Sequence, residues 1–298
     1  MVVAGVPREG DDVIRDLLAA SRPLSWINTA YPFAAAYLLT SGELNAALIV
    51  GTLFFLVPYN LAMYGVNDVF DYASDFANPR KGGVEGALLT PERHRTVLLA
   101  AALSCLPFVV LLVLWGPPVS WLVLAVSLFA VVAYSAPPFR FKEIPGLDSV
   151  TSSVHFVSPA AFGVALAGGS VDAGLLAVLG AFFLWGVASH AFGAVQDVVP
   201  DRTAGISSIA TALGAGRTVR LALAAWTAAG LLMLTTGWPG ALTALLAIPY
   251  LCAAAPFARV SDEDSARANR GWRHFLWINY ACGFAVTMLL IVFVIGRG

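Results

Sequence analysis

The sequence predicts an all-α, polytopic membrane protein, and three observations carry that prediction. Only 12% of the 298 residues are charged while 59% are hydrophobic, whereas a soluble domain carries about 25% charged residues. The apolar residues gather into nine runs, each near the roughly 20 residues that a spanning helix needs. The cations fall almost entirely on one side of those runs. No basic cluster suggests a nucleic-acid partner, and the net charge of −1 excludes nothing further.

Residues 1–23 precede the first run. They hold Glu9, Asp11, Asp12 and Asp16 and lack a signal-peptide core, so insertion is expected to use the first span itself. "DDVIRDLLAASRP" reads as an amphipathic surface helix, with Arg22 and Asn28 at the mouth of the first span. Spans are expected at 24–41, 45–66, 96–115 and 118–136, then at 147–168, 172–196, 218–237 and 239–258, with a ninth at 273–295. The fifth is the most polar, opening on "DSVTSSVHFVSPA"; its small apolar residues after Pro159 let it span when packed against neighbours. Tight turns (GPP, GGSV, GWPG) alternate with longer polar loops at 67–95, 137–146, 197–217 and 259–272. Trp115, Trp121 and Trp238 beside the tight turns read as interfacial anchors. Cys105, Cys252 and Cys282 lie far apart inside apolar segments and read as small buried hydrophobes.

Of the 17 Lys and Arg, sixteen belong to the N-terminal segment or to the loops after spans two, four, six and eight; the exception is Arg297. That bias places the N-terminus and the long loops in the cytoplasm of an integral, multi-pass cell-membrane protein. The chain reads as one domain of two four-helix halves, 24–136 and 147–258, followed by a ninth helix.

Each half has an acidic set at the same place. Asn67, Asp68, Asp71 and Asp75 end the second span, the three acids spaced i, i+3, i+7 along one helix face. Asp197 and Asp201 end the sixth, spaced i, i+4. Carboxylates gathered this way repel one another unless a cation joins them. Mg2+ suits them, because it takes oxygen ligands and is usually held by one or two carboxylates plus substrate phosphates. Neither set has His or Cys in ligand spacing, which argues against zinc. His190 and His155 read as pocket-wall or buried hydrogen-bonding residues. Arg80, Lys81, Lys142 and Arg202 stand near the acids. Acids with Mg2+ beside Lys and Arg suit a diphosphate, and a diphosphate at the mouth of an apolar bundle suggests a lipid donor whose tail enters the membrane. Ionising an allylic diphosphate requires charge stabilisation on the leaving group. The rival reading is a cation-coupled transporter; it would favour acids near mid-span, whereas these stand at helix ends.

"NDVFDYASD" (67–75) and "DVVPDRTAGISSIATALG" (197–214), set after the second and sixth spans, resemble the motifs of the UbiA superfamily of intramembrane prenyltransferases. "YSAPPFRFK" (134–142) resembles that family's Tyr-to-Lys loop, and "NPRKGG" (78–83) stands where its members place a diphosphate-binding cation. The resemblance covers nearly the whole chain. It implies nine helices around a central cavity, two Mg2+ ions, an isoprenoid diphosphate donor and a lipophilic acceptor. "SRPLSWINTAYPFAAAYLL" and "PYNLAMYGVNDVFDYASDFANPRKGGVEGALL" look most like the carotenoid branch, the lycopene elongases, which transfer dimethylallyl groups to lycopene on the way to C50 pigments, some followed by a carotenoid cyclase. Other members use aromatic, quinone-precursor or glycerolipid acceptors. On this resemblance Asp68, Asp71, Asp75, Asp197 and Asp201 would hold the metal. Asn67, Arg80, Lys81, Lys142 and Arg202 would bind the diphosphate. Asp71, Asp201, Tyr134 and Lys142 would form the catalytic set, with Tyr134 donating to the diphosphate or shielding the cation. Asp148 reads first as a helix-start acid and second as a base.

Overall fold

The computed structural model describes residues 9–72, 76 and 88–295, without the side chains of 9–12 and 276. All regular structure among these residues is helical. The helices are α1 (Glu9–Ser21), α2 (Ile27–Ser41), α3 (Ala46–Leu56), α4 (Pro58–Phe70), α5 (Pro91–Trp115), α6 (Pro118–Ser135), α7 (Leu147–Leu166), α8 (Ala173–Val195), α9 (Val198–Thr203), α10 (Ile209–Leu213), α11 (Ala215–Met233), α12 (Ala247–Ala254) and α13 (Asn269–Ile295). Eight stretches among the described residues are long and apolar enough to cross a membrane: Ala46–Phe70, Pro91–Trp115, Pro118–Ser135, Leu147–Leu166, Ala173–Val195, Ala215–Thr236, Gly240–Phe257 and Ser265–Ile295. They correspond to the second to ninth expected spans. The first expected span, 24–41, differs: it is a 3-10 turn at Pro23–Ser25 and a helix of 15 residues. At 1.5 Å per residue that helix is shorter than a hydrocarbon core about 30 Å thick, so it is not among the eight.

The chain forms two compact units, one of residues 1–139 and 158–169, the other of 140–157 and 170–298. One boundary falls at 139/140, in the loop between the two halves expected from the sequence, and another divides α7 at 157/158.

In the first unit, rings of Phe33, Phe54, Phe55, Tyr59 and Phe162, all fully buried, form an aromatic core; Phe33 and Phe55 stand 5.2 Å apart and Phe55 and Tyr59 5.0 Å. Gly51 makes room for it, since a Cβ there would sit 2.1 Å from the Phe33 ring. The span Ala46–Phe70 is broken at Val57 because Pro58 lacks an N–H and cannot continue the ladder. Within a membrane the freed carbonyls must be satisfied by protein. Asn60 Nδ2 donates to the carbonyls of Phe55 (2.8 Å) and Leu56 (3.1 Å), and the Thr29 hydroxyl to that of Phe55 (2.7 Å). Helix α1 packs Leu17 and Ala20 against Leu61, Val97 and Ala101 while Ile14 and Leu18 stay exposed. It is an amphipathic helix, as expected, with a protein-facing side.

In the second unit, Phe192, Val195, Ala222, Ala225, Trp226, Tyr250 and Phe275 are core members. Alanine and glycine let backbones approach where lipid supplies no hydrophobic drive: a Cβ on Gly186 would lie 2.3 Å from Ser153 Oγ, and one on Gly271 2.6 Å from the Ala253 carbonyl. Of the three tryptophans expected at interfaces, Trp238 is 76% exposed, and Trp121 donates its indole N–H to the carbonyls of Val113 and Gly116 at α5's end.

Candidate active site

The last turn of α4 presents the first acidic set. Asp71 caps the helix, its N–H bonded to the Asn67 carbonyl at 2.9 Å, and is buried. Asn67 Oδ1 accepts the Ser135 hydroxyl at 2.9 Å. This bond ties the end of α4 to the end of α6 beside half-buried Tyr134, and it turns the NH2 edge of Asn67 away from Ser135.

Asp68, expected as a metal ligand, is engaged by a cation. Its fully buried side chain accepts Arg22 Nη2 at 2.7 Å. Arg22 also lies over the Tyr64 ring, 4.3 Å from its centroid. A carboxylate without water requires a partner, and Arg22 is one. Arg22 holds a left-handed backbone (φ 50°, ψ 74°), a conformation that costs a non-glycine residue roughly 1–3 kcal/mol. The turn before it is fixed by Trp26 Nε1, which donates to the Ser21 carbonyl at 3.0 Å. The sequence reading put Arg22 at the mouth of a span, within reach of the pocket, but did not name Asp68 as its partner; its signal was a lone cation between a helix and a proline. Asp75, Arg80 and Lys81 lie outside the described residues.

The second set is built on a helix break. Asp197 is the N-cap of α9, and the Asp201 N–H bonds to its carbonyl at 2.9 Å, so the two carboxylates stand one turn apart on one face. Gly205 ends α9 with φ +71°; its N–H bonds to the Arg202 carbonyl and that of Ile206 to the Asp201 carbonyl. This is a Schellman cap, which gives the glycine eight residues after Asp197 a backbone reason. Lys142 lies half-buried in the 3-10 turn Phe141–Glu143. Burial lowers its pKa to about 8, against the pull of Glu143 and Asp201, which favour the ammonium. Glu143 is ion-paired to Arg140, which holds its carboxyl below the usual range. Arg202, expected on the diphosphate, is committed elsewhere: Nη1 donates to Asp262 (2.7 Å) and Nη2 to the Thr211 carbonyl (2.8 Å). Its guanidinium braces α9 against α10 and the 258–264 segment.

The profile of the UbiA prenyltransferase family matches residues 29–280. The chain belongs to that family. As a UbiA protein it is a prenyltransferase and an integral, multi-pass membrane protein. It is similar to a lycopene elongase/hydratase of Corynebacterium glutamicum, 50% identical over 93% of this chain and 97% of that protein. It is 52% identical to the C(50) beta-cyclic carotenoids biosynthesis protein LbtBC of Dietzia sp., over 94% of this chain and 65% of that longer one. A lycopene elongase/hydratase of Haloferax volcanii is 40% identical over 70% of this chain and 69% of its own. Among solved structures, a UbiA homologue from Archaeoglobus fulgidus bound to DMAPP and Mg2+ is similar in fold, with a TM-score of 0.65 at 20% identity, covering 90% of this chain and 98% of that one. A UbiA homologue from Aeropyrum pernix K1 gives 0.64 at 22% identity, with 90% and 99% covered.

The other singled-out residues of this UbiA protein have structural partners. Asp148 is fully buried and accepts the N–H of Ser149 and of Ile209, both at 2.7 Å. It anchors the start of α10 as well as its own helix, the helix-start role rather than the base. His190 Nδ1 pairs with Ser149 Oγ at 3.0 Å, and His155 is buried. Among the described residues no three His, Cys, Asp or Glu gather to hold an ion by themselves. The oxygen-only donors at Asp71 and at Asp197 and Asp201 nevertheless fit Mg2+ in kind, because that ion completes its shell with water and phosphate.

Proposed function

We propose that this prenyltransferase transfers the dimethylallyl group of dimethylallyl diphosphate to the ends of lycopene, with Mg2+, as a step toward C50 carotenoids. The observation that carries the reading is the 50% identity, along nearly the full length of both chains, to a lycopene elongase/hydratase. The similar fold of a UbiA homologue bound to DMAPP and Mg2+ supports the donor and the metal.

Bound Mg2+ would draw charge from the departing diphosphate. Asp71, Asp75, Asp197 and Asp201 would hold it, taken here as two ions. Asp68 would act through Arg22, fixing the end of α4. Asn67 would turn its NH2 edge to the diphosphate, and Lys142, with Arg80 and Lys81, would neutralise it. Tyr134 would donate to the leaving group or shield the allylic cation. The allylic C–O bond breaks and the diphosphate leaves with the electron pair. The terminal double bond of lycopene then attacks the allylic carbon, forming a C–C bond and a tertiary cation, which loses a proton or takes up water and releases one. The apolar interior excludes water from the cation before attack. In this reading Ile27–Ser41 is a ninth, short crossing, the N-terminus and long loops are cytoplasmic, and a carotenoid cyclase follows.

Membranes containing the protein would be given lycopene and radiolabelled dimethylallyl diphosphate, with Mg2+ or EDTA. Label in C45 and C50 carotenoids with Mg2+ alone is the expected result. Asp71→Asn and Asp201→Asn should each lower it by about 100-fold or more while the protein stays inserted and folded. Label passing instead to a supplied quinone precursor or glycerolipid would overturn the carotenoid assignment. Undiminished transfer in either variant would overturn the metal roles.

A further inference from the structure

The second unit carries a basic feature made of other residues than the acidic set. A cleft of about 480 Å3 is lined by Arg217, Arg220 and Arg259, with Leu213, Gly216 and Asp262 among its walls. Two chain stretches build it: the start of α11 and the residues just after Phe257. These are the beginning of one candidate span, Ala215–Thr236, and the exit of the next, Gly240–Phe257. Consecutive spans joined by a tight turn at their far ends have these two ends at the same membrane face. The cleft therefore lies at the level of lipid headgroups. Gly216 permits the approach, since a Cβ there would meet the Val260 carbonyl at 2.9 Å.

The charge balance in the cleft is one-sided. Its carboxylate, Asp262, is engaged: Oδ1 accepts the Ala215 N–H at 2.6 Å and Oδ2 accepts Arg202 at 2.7 Å. Arg220 donates to the Ala258 carbonyl at 2.7 Å. Arg217 and Arg259 are exposed and form no ion pair among the described residues. Apolar surface adjoins them: Leu221, one turn along α11 from Arg217, is 39% exposed, and Leu213 is 40% exposed. A guanidinium at the boundary with an exposed leucine one turn deeper matches a lipid's phosphate above its acyl chain. The positive-inside bias accounts for the sign of these residues. It does not account for three arginines from two spans meeting at one cleft.

We propose that this cleft binds the phosphate headgroup of an anionic glycerophospholipid, with Arg217 and Arg259 gripping the phosphate oxygens and Arg220 braced on the Ala258 carbonyl behind them. The planar guanidinium fork suits two phosphate oxygens at once, and basic pockets between membrane helices commonly take such headgroups.

The test uses the full chain purified in neutral detergent. Thermal unfolding would be followed with added phosphatidylglycerol, phosphatidylcholine or inorganic phosphate, for the wild type, R217Q/R259Q and R217K/R259K. Phosphatidylglycerol should raise the wild-type Tm by several degrees and phosphatidylcholine should not. R217Q/R259Q should lose most of that shift, and R217K/R259K should keep part of it. Native mass spectrometry supplies the second readout: one retained phosphatidylglycerol in the wild type, displaced in R217Q/R259Q. An equal shift and equal retention in R217Q/R259Q would overturn the site. An equal shift with phosphatidylcholine would remove the headgroup assignment, and one with inorganic phosphate would replace the lipid by a soluble anion.

Discussion

Single side chains decide the electrostatics of the candidate site. Lys142 is the clearest case. Burial lowers its pKa to about 8, so its ammonium is lost as pH rises through that value. Diphosphate capture should weaken above pH 8, seen as a rising KM for the donor. Lys142→Arg, which stays charged, should flatten the profile. The sign for folding is opposite: between about 8 and the ordinary 10.5 the unfolded chain holds more protons, so stability rises with pH across that window. Asp68 and Arg22 are coupled in another way. Arg22→Ala removes the guanidinium from a buried carboxylate, which should destabilise the protein by about 3 kcal/mol. Adding Asp68→Asn should recover most of the loss, measured by unfolding in detergent. A double variant no more stable than Arg22→Ala would remove the pair from its proposed role. The sequence showed these groups to be chemically capable. It did not show that Arg22 meets Asp68 or that Arg202 meets Asp262, because those partners lie 46 and 60 residues away.

At the scale of elements, helix breaks shape each unit. Pro58 interrupts one span, and Asn60 and Thr29 satisfy the carbonyls it frees. Asp197 starts a short helix that Gly205 ends. Asp148 holds the following helix through the Ile209 N–H. Asp148→Ala would leave that buried donor unmet, at about 1–3 kcal/mol. Prenyl transfer should fall with it through displacement of the 197–209 segment. If transfer fell without any change in stability, Asp148 would be a proton acceptor rather than an anchor. The periodicity of the sequence located most of these helices within a few residues, because a 20-residue apolar run has few alternatives. It missed the break inside span two and the 3-10 winding of Gly240–Leu246 that opens span eight. A proline or a few small residues do not outweigh an apolar window; the break is decided by which neighbours can satisfy the backbone.

At the scale of the molecule, the distribution of charge bears on how the chain sits in the bilayer. The positive-inside rule predicts that the loops after the even-numbered expected spans face the cytoplasm. In intact cells, with Cys105, Cys252 and Cys282 replaced by Ala, Ser170→Cys should react with a membrane-impermeant maleimide. Ser207→Cys should react only after permeabilisation. The reverse pattern would invert the orientation and place the acidic sets outside.

The sequence by itself determined the class of molecule, an all-α membrane protein with an acidic set at two helix ends, and the family to which those motifs belong. Composition and local spacing suffice for that, because bilayer thickness and helix period act on contiguous residues. The tertiary structure alone decided which charges are already spent. Asp68 is held by Arg22, Arg202 by Asp262 and Thr211, and Asp148 by the start of α10, whereas Arg217 and Arg259 are left exposed beside a cleft. Charge pairing is settled by distances of a few ångströms between residues far apart in the chain, and a linear pattern does not encode those distances.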